Sequence, residues 1–262
     1  MDEDMKIIAC YKWVLDEADL VVNPDLSINT SRAAHKISDY DRNAIQVAME
    51  AAGEGDEVVA LTYAGVEAQK SLKDVLSRGP ARAVWVKDET ATTAGGAATA
   101  KVLAAAVTAI GNDVGLVVCA EGASDTYAHE VGPRLGALLE WPIITNVRSV
   151  SLNGTTLTAT RLLNEQVETV QATLPAIITV LPEAAPAPIP GLKMVLAAAK
   201  KPVTEYQLSD LGLSAAELAP MSTTVSLQGY AMNRKNVLFD AGKPAELVRQ
   251  LVSALVQEGV LS

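Results

Sequence analysis

Residues 96–139 read GAATAKVLAAAVTAIGNDVGLVVCAEGASDTYAHEVGPRLGALL, and this stretch decides the fold. An alanine-rich segment predicts a helix over Ala97–Ile110. A branched apolar run, Val114–Ala120, follows with no polar alternation, the mark of a strand buried on both faces. A loop of small and polar residues then leads into a second helical pattern, predicted over Tyr127–Leu139. The same rhythm extends outward. Upstream, Met5–Trp13, Glu57–Tyr63 and Ala83–Lys87 read as strands, with helices over Asp41–Gly53 and Glu67–Ser77; downstream, Pro142–Asn146 reads as a short strand. Strands alternating with helices of roughly 10–15 residues imply right-handed crossovers. The expected fold is α/β, an open and mostly parallel sheet with helices on both faces.

After Asn146 the rhythm changes. Val147–Val150, Thr155–Leu163 and Glu168–Ala172 are β-prone and are joined by Asn153-Gly154 and Asn164-Glu165, which predicts an antiparallel meander. Ala176–Leu181 is expected as a return strand. Prolines at 182, 186, 188 and 190 exclude a helix and favour an extended arm. Leu192–Lys201 is amphipathic, a polar connection follows, and Leu247, Leu251 and Leu255 share one face of a helix predicted over Pro244–Val256. The expected organisation is a nucleotide-binding α/β part with a meander over residues 1–182 and an arm with a C-terminal helix over residues 183–262.

Composition narrows the function. The chain has 262 residues, 49% hydrophobic and 4% aromatic, and 21 basic against 31 acidic side chains give a net charge of −10. Such a charge supplies no basic field for a nucleic-acid backbone, whereas backbone N–H groups still accept a small phosphate ligand. Cys10 and Cys119, the only cysteines, lie in apolar runs and are expected as free core thiols. The start, MDEDMK, lacks the basic and apolar regions of a leader. No apolar stretch is long enough for a membrane span, so a cytoplasmic protein is expected.

Ligands of open α/β sheets bind beyond the carboxyl ends of the strands, where the strand order reverses. The loops to inspect are therefore Lys12–Asp25, Ser38-Asp39-Tyr40-Asp41, Ala64-Gly65 and Ala120–Thr126. The second offers short polar side chains to cap a helix. The last is a small-residue loop that brings backbone close to a phosphate. No GxGxxG follows a strand and no GxxxxGK[ST] is present. His35 and His129 stand outside any HExxH spacing, and no GxSxG elbow occurs. No nucleophile, base and oxyanion set assembles.

The residues nonetheless resemble a known family. The opening KIIACYKWVLD, the segments ISDYDRNAI, DVLSRGPARAVWV, AEGASDTYAHEVG and ATRLLNEQVETVQATLPAIITV, and the arm PGLKMVLAAAKKP resemble the beta subunit of electron transfer flavoprotein. Asn164 and Gln166 depart from its usual acidic or glycine residues. The likeness is greatest to the subgroup tied to anaerobic carnitine and nitrogen-fixation pathways. It implies a sheet of the adenine-nucleotide alpha-hydrolase-like kind and a heterodimer with an alpha subunit that holds most of the redox FAD. Beta adds part of the flavin pocket and an AMP site, or a second FAD in bifurcating members.

Carried onto this chain, the adenine-nucleotide site comprises Cys10, Ser38, Asp39, Tyr40, Asp41, Ala64, Ala120, Glu121, Gly122, Ala123, Ser124, Asp125, Thr126, Tyr127, Ala128, His129, Glu130 and Val131. Leu192 maps onto the residue that anchors a dehydrogenase of the acyl-CoA dehydrogenase type, and quinone-linked or ferredoxin-linked acceptors are further implied partners. Only Thr99 of the bifurcating loop pattern survives in Thr93–Thr99. The resemblance thus implies an electron-carrier subunit rather than a self-contained enzyme. Its rivals are an NADH-dependent bifurcating subunit and a free-standing adenine-nucleotide module.

Overall fold

The computed structural model describes residues 4–220, 222–230 and 234–261. Met1–Glu3, part of the acidic start, thus lie outside the described residues. Two compact units are present: Met1–Val21 with Asn29–Ser226, and Val22–Ile28 with Leu227–Ser262.

The larger unit is built on a nine-stranded sheet. Its strands are β1 (Lys6–Cys10), β2 (Glu57–Ala64), β3 (Arg82–Lys87), β4 (Val114–Ala120), β5 (Ile143–Asn153), β6 (Thr156–Leu163), β7 (Gln166–Thr173), β8 (Ala176–Val180) and β9 (Val203–Tyr206). They lie in the order β7-β6-β5-β8-β4-β1-β2-β3-β9. From β5 to β9 all neighbours pair in parallel, and β5-β6-β7 is the antiparallel meander. The expected α/β class with a mostly parallel sheet is what the chain adopts.

Alternate residues of the central strands feed two cores. Ile7, Ala9, Val58, Ala60, Leu116 and Val118 face helix α1 (Asp39–Ala51) and helix α2 (Gln69–Ser77). Ile8, Val59, Leu61, Val117 and Ile177 face helix α3 (Gly96–Ile110) and helix α4 (Val131–Leu139). The alanines of α3 keep that helix close to the sheet, and Ala100 and Ala106 are fully buried. Both cysteines are free and buried, as expected. No described helix is long and apolar enough to cross a membrane.

Three elements differ from the sequence reading. The short strand over Pro142–Asn146 and the run Val147–Val150 are one strand, β5, bent at Asn146, whose φ is 57°. At this bend β5 passes from parallel pairing with β8 to antiparallel pairing with β6. The connection after Lys201 is not all loop, because Val203–Tyr206 forms β9 on the sheet edge beside β3. The helix expected from Tyr127 begins only at Val131. Tyr127 and His129 have φ of 46° and 55°, a left-handed backbone that cannot continue a right-handed helix.

The arm runs extended from Ala185 to Pro190 and leads into helix α5 (Leu192–Ala198). Asn43 Nδ2 donates to Ala185 O at 2.6 Å at its start. At its far end Lys201 Nζ donates to the carbonyls of Leu76, Gly79 and Pro80 at 2.9, 2.9 and 2.6 Å. Between these clamps Ile189, Leu192 and Leu196 are exposed. In the smaller unit, helix α6 (Pro244–Gln257) matches the expected helix, and Val248, Leu251, Val252 and Val256 lie exposed along it.

Candidate functional site

The strand order reverses at β1. The chain passes from β1 outward to β2 and β3, then returns to place β4 on the other side. A cleft of about 310 Å³ opens at the carboxyl ends of β1 and β4, lined from Cys10, Tyr11, Lys12, Cys119 and Ala120 and from the loop that follows β4. This is the position where open α/β sheets take ligands.

Two helices begin at this cleft. Gly95 and Gly96 lead into α3, and Glu130 and Val131 into α4; neither helix start has a side-chain cap, and all four residues line the cleft. Their first-turn N–H groups have no partner within their own helices. The backbone amides of Gly122 and Ala123 also find no partner among the described residues. An acceptor-rich ligand is the chemical complement of such a wall.

The loop after β4 is held from behind. Glu121 N donates to Val180 O at 3.1 Å, and Tyr127 N donates to Ala123 O at 2.9 Å. The Tyr127 hydroxyl donates to the buried Glu121 Oε1, an interaction that raises the pKa of the tyrosine. The Tyr127 ring packs on Tyr40 with centroids 5.1 Å apart and edge-on to His129 at 4.2 Å. Gly122 is required here, since a Cβ on it would lie 2.8 Å from the Tyr127 ring.

Ser38 stands at the start of α1 but forms no cap bond. It accepts from Ser124 N at 3.1 Å, so it ties the loop after β4 to the start of α1. Asp41 likewise does not cap. Its carboxylate is buried and accepts from Lys12 N at 2.8 Å, while Lys12 Nζ pairs with Asp125 at 2.6 Å. The expected capping role gives way because Asp41 turns under the β1 end instead of along its own helix.

Burial pushes the Asp41 carboxyl up to about 7, against which the Lys12 N–H works. The folded protein therefore holds this proton more tightly than the unfolded chain, whose carboxyl titrates near 3.8. Stability contributed by the bound proton is present at low pH and is lost as pH rises toward 7. Asp41→Asn keeps an oxygen for Lys12 N but removes the titration. Urea midpoints measured from pH 5 to 8 should show the variant gaining on the parent as pH rises, and parallel profiles would contradict the assignment.

Of the residues singled out in the sequence, Cys10, Asp41, Ala120, Glu121, Gly122, Ala123, Thr126, Ala128, His129, Glu130 and Val131 line the cleft together. Ser38, Ser124, Asp125, Tyr40 and Tyr127 stand behind them as supports. Asp39 points elsewhere, pairing with Lys36 and Arg42 at 2.8 and 2.7 Å. Ala64 ends β2 in a separate cluster with Ala68 and Trp85, where its carbonyl accepts from Trp85 Nε1 at 3.0 Å. The loop inspected from Lys12 contributes Lys12 itself, whereas Ala94, Gly95, Gly96 and Thr99, noted only as a stretch related to a bifurcating pattern, were not expected to line this cleft. The paired glycines before an alanine-rich helix, with no Ser, Thr or Asp in the cap position, were the available signal. Among the described residues no cluster of His, Cys, Asp and Glu is placed to hold a metal ion.

Comparison with known proteins matches residues 25–211 to the family described as "Electron transfer flavoprotein domain". Among solved structures, the crystal structure of the DNA/pantothenate metabolism flavoprotein from Streptococcus pneumoniae is 9% identical, with 64% of this chain and 92% of that chain covered at a TM-score of 0.23.

Proposed function

The chain belongs to the electron transfer flavoprotein domain family, and on that premise we propose that it is the beta subunit of a heterodimeric electron carrier, of the anaerobic carnitine and nitrogen-fixation type. Residues 1–182 are its nucleotide-binding part and residues 183–262 its docking part. It passes electrons between a dehydrogenase of the acyl-CoA dehydrogenase type and a quinone-linked or ferredoxin-linked acceptor. FAD shared with the alpha subunit supplies the redox chemistry when bound. The chain's own residues bind, shape and dock.

The observation that carries this reading is the wall of unpaired amides at the reversal of strand order, with two uncapped helix starts beside it. The residues fit a phosphate in chemistry, because N–H donors and helix dipoles suit an anion without net positive charge. They also fit in size. About 310 Å³ is at the small end of ligand pockets, which run from roughly 300 to 1,000 Å³. That favours AMP over a second FAD and thus simple transfer over NADH-dependent bifurcation. In this reading Gly122, Ala123, Gly96 and Val131 face the phosphate, and the β1 and β4 ends at Cys10 and Ala120 enclose the adenine.

Docking falls to the arm. Leu192 is 75% exposed at the start of α5, and an apolar anchor on a segment clamped at both ends needs little ordering when a partner arrives. The exposed apolar residues of α6 suit the alpha subunit.

The test is ligand content. The chain co-expressed with its alpha subunit and then denatured should release one FAD and one AMP per heterodimer on chromatography. Two FAD and no AMP would favour bifurcation. Release of no adenine nucleotide beyond the shared FAD, or a lone chain that retains full FAD, would sink the proposal.

A further inference from the structure

We propose that Cys10 and Cys119 form a modification site, a thiol pair on the floor of the cleft that hydrogen peroxide converts reversibly into a disulfide and that a bound nucleotide shields. The shielding rests on the mononucleotide reading above; the pair itself does not.

The two cysteines stand on neighbouring parallel strands. β1 and β4 pair at Ile8 with Val117 and at Ala9 with Val118, and Cys10 and Cys119 are the next residues along. Side chains alternate along a strand, which puts both thiols on the face of Ile8 and Val117, and all four residues belong to one core. The cysteines are 6% and 5% exposed, and both line the cleft. Each thiol is part of the other's surroundings: the Cys119 side chain and burial hold the Cys10 thiol well above its ordinary pKa. The chain has no other cysteine, so a disulfide within one chain joins these two.

The backbone allows the bond and would feel it. Neighbouring strands lie about 4.7–4.9 Å apart, inside the roughly 4.4–6.8 Å that a disulfide spans between Cα atoms. The bond also brings the Cβ atoms to about 3.8 Å, closer than parallel neighbours stand. Closing it therefore draws the ends of β1 and β4 together, and those ends are the floor on which the ligand would rest.

The chemistry balances with peroxide as the oxidant. One thiolate attacks a peroxide oxygen, the O–O bond breaks, and a sulfenic acid forms while the released hydroxide takes up the thiol proton as water. The second sulfur then attacks the first. An S–S bond forms, the S–O bond breaks, and the hydroxyl leaves with the second thiol proton as another water. Two thiols have given up two electrons and two protons, and one peroxide has become two waters. The raised pKa keeps the thiolate scarce, so the reaction is slow. A ligand seated over Cys10 closes the way to peroxide, and a closed disulfide changes the floor that the ligand needs. The two states exclude each other.

The protein, in the assembly in which it purifies and freed of nucleotide, is treated with hydrogen peroxide, quenched, alkylated under denaturing conditions and digested for mass spectrometry. A peptide pair joining Cys10 to Cys119 is expected, lighter than the two free peptides by two hydrogens, about 2 Da, and split again by dithiothreitol. Cys119→Ala should end instead with oxygen added at Cys10. With AMP at about ten times its Kd the rate of disulfide formation should fall roughly tenfold, since only the empty fraction reacts. The oxidised protein should in turn bind AMP at least about tenfold more weakly, because the linkage is reciprocal. Sulfinic acid at both cysteines, disulfides only between chains, or two thiols that stay unreacted would overturn the pair. Equal rates with and without AMP, where calorimetry shows AMP bound, would overturn the shielding. A protein that binds no AMP yet forms the disulfide would overturn the mononucleotide reading and not the pair.

Discussion

Gly132→Val is expected to lower stability by about 3 kcal/mol, at the upper end of what overpacking a core does, and to abolish nucleotide binding. A Cβ at Gly132 would lie 2.2 Å from Thr179 Cγ2 on β8. Thr179 cannot retreat easily, because it is buried and its hydroxyl accepts from Asn146 N at 3.2 Å, at the bend of β5. The strain must move α4, and α4 starts at the cleft, so fold and site are damaged through one contact. For a unit of this size the melting temperature should fall by roughly 6–12 °C. Two comparisons make the test specific. Gly136→Ala meets Ile143 Cγ2 at 3.1 Å and should be milder, while Gly191→Ala meets nothing within 4 Å and should be silent. Similar melting temperatures for all three would refute the close-approach argument.

Lys201→Met is expected to cost about 2 kcal/mol and to loosen the arm. Its ammonium donates to three carbonyls at and beyond the end of α2, and hydrogen bonds from a charged group contribute about 1.5–3 kcal/mol. Methionine keeps the apolar stem and leaves those acceptors without their donor. The loss is local as well as global. Hydrogen exchange should speed up over Leu192–Tyr206 more than over β1 or β4, since the lysine joins α5 and β9 to the end of α2. Uniform acceleration across the sheet would mean that Lys201 is an ordinary contributor to stability and not the clamp of the arm.

Much of this architecture is legible in the sequence, for a physical reason. Strands β1 to β4 are runs of Val, Ile, Leu and Ala with no polar alternation, and helices α1 to α3 carry a helical apolar period, so local pattern and tertiary burial agree. Where tertiary contacts decide, the pattern fails. Nothing in Tyr127-Ala128-His129-Glu130 forbids a helix, and the left-handed turns at Tyr127 and His129 accompany ring contacts with Tyr40 and a bond to Glu121. Strand β9 is a four-residue edge strand with an exposed, partly polar face, which reads as loop. Asp41 looks like a cap beside its helix start, and only the return of the chain past β1 shows that it is buried under Lys12. In the site, the loop after β4 was visible because small residues bridged a strand and a helix. The Gly95-Gly96 wall was not, because it comes from a different crossover and joins the cleft only through the strand order.

That order also dictates how the protein can be assembled. Strand β8 is the eighth strand of the nine-stranded sheet in chain order, yet it lies between β4 and β5 and pairs with both. Residues 6–120 can form a parallel block β4-β1-β2-β3, and residues 143–173 can close their meander locally through contacts of short sequence separation. Until residue 180 is made, the edges of β4 and β5 that β8 will cover stay open, and their residues Leu116–Val118 and Ile144 belong to the buried core. Ala176–Val180 is the seam that closes both at once, and every one of its residues is buried. A chain interrupted just before the seam would present two apolar strand edges, the arrangement that invites edge-to-edge association.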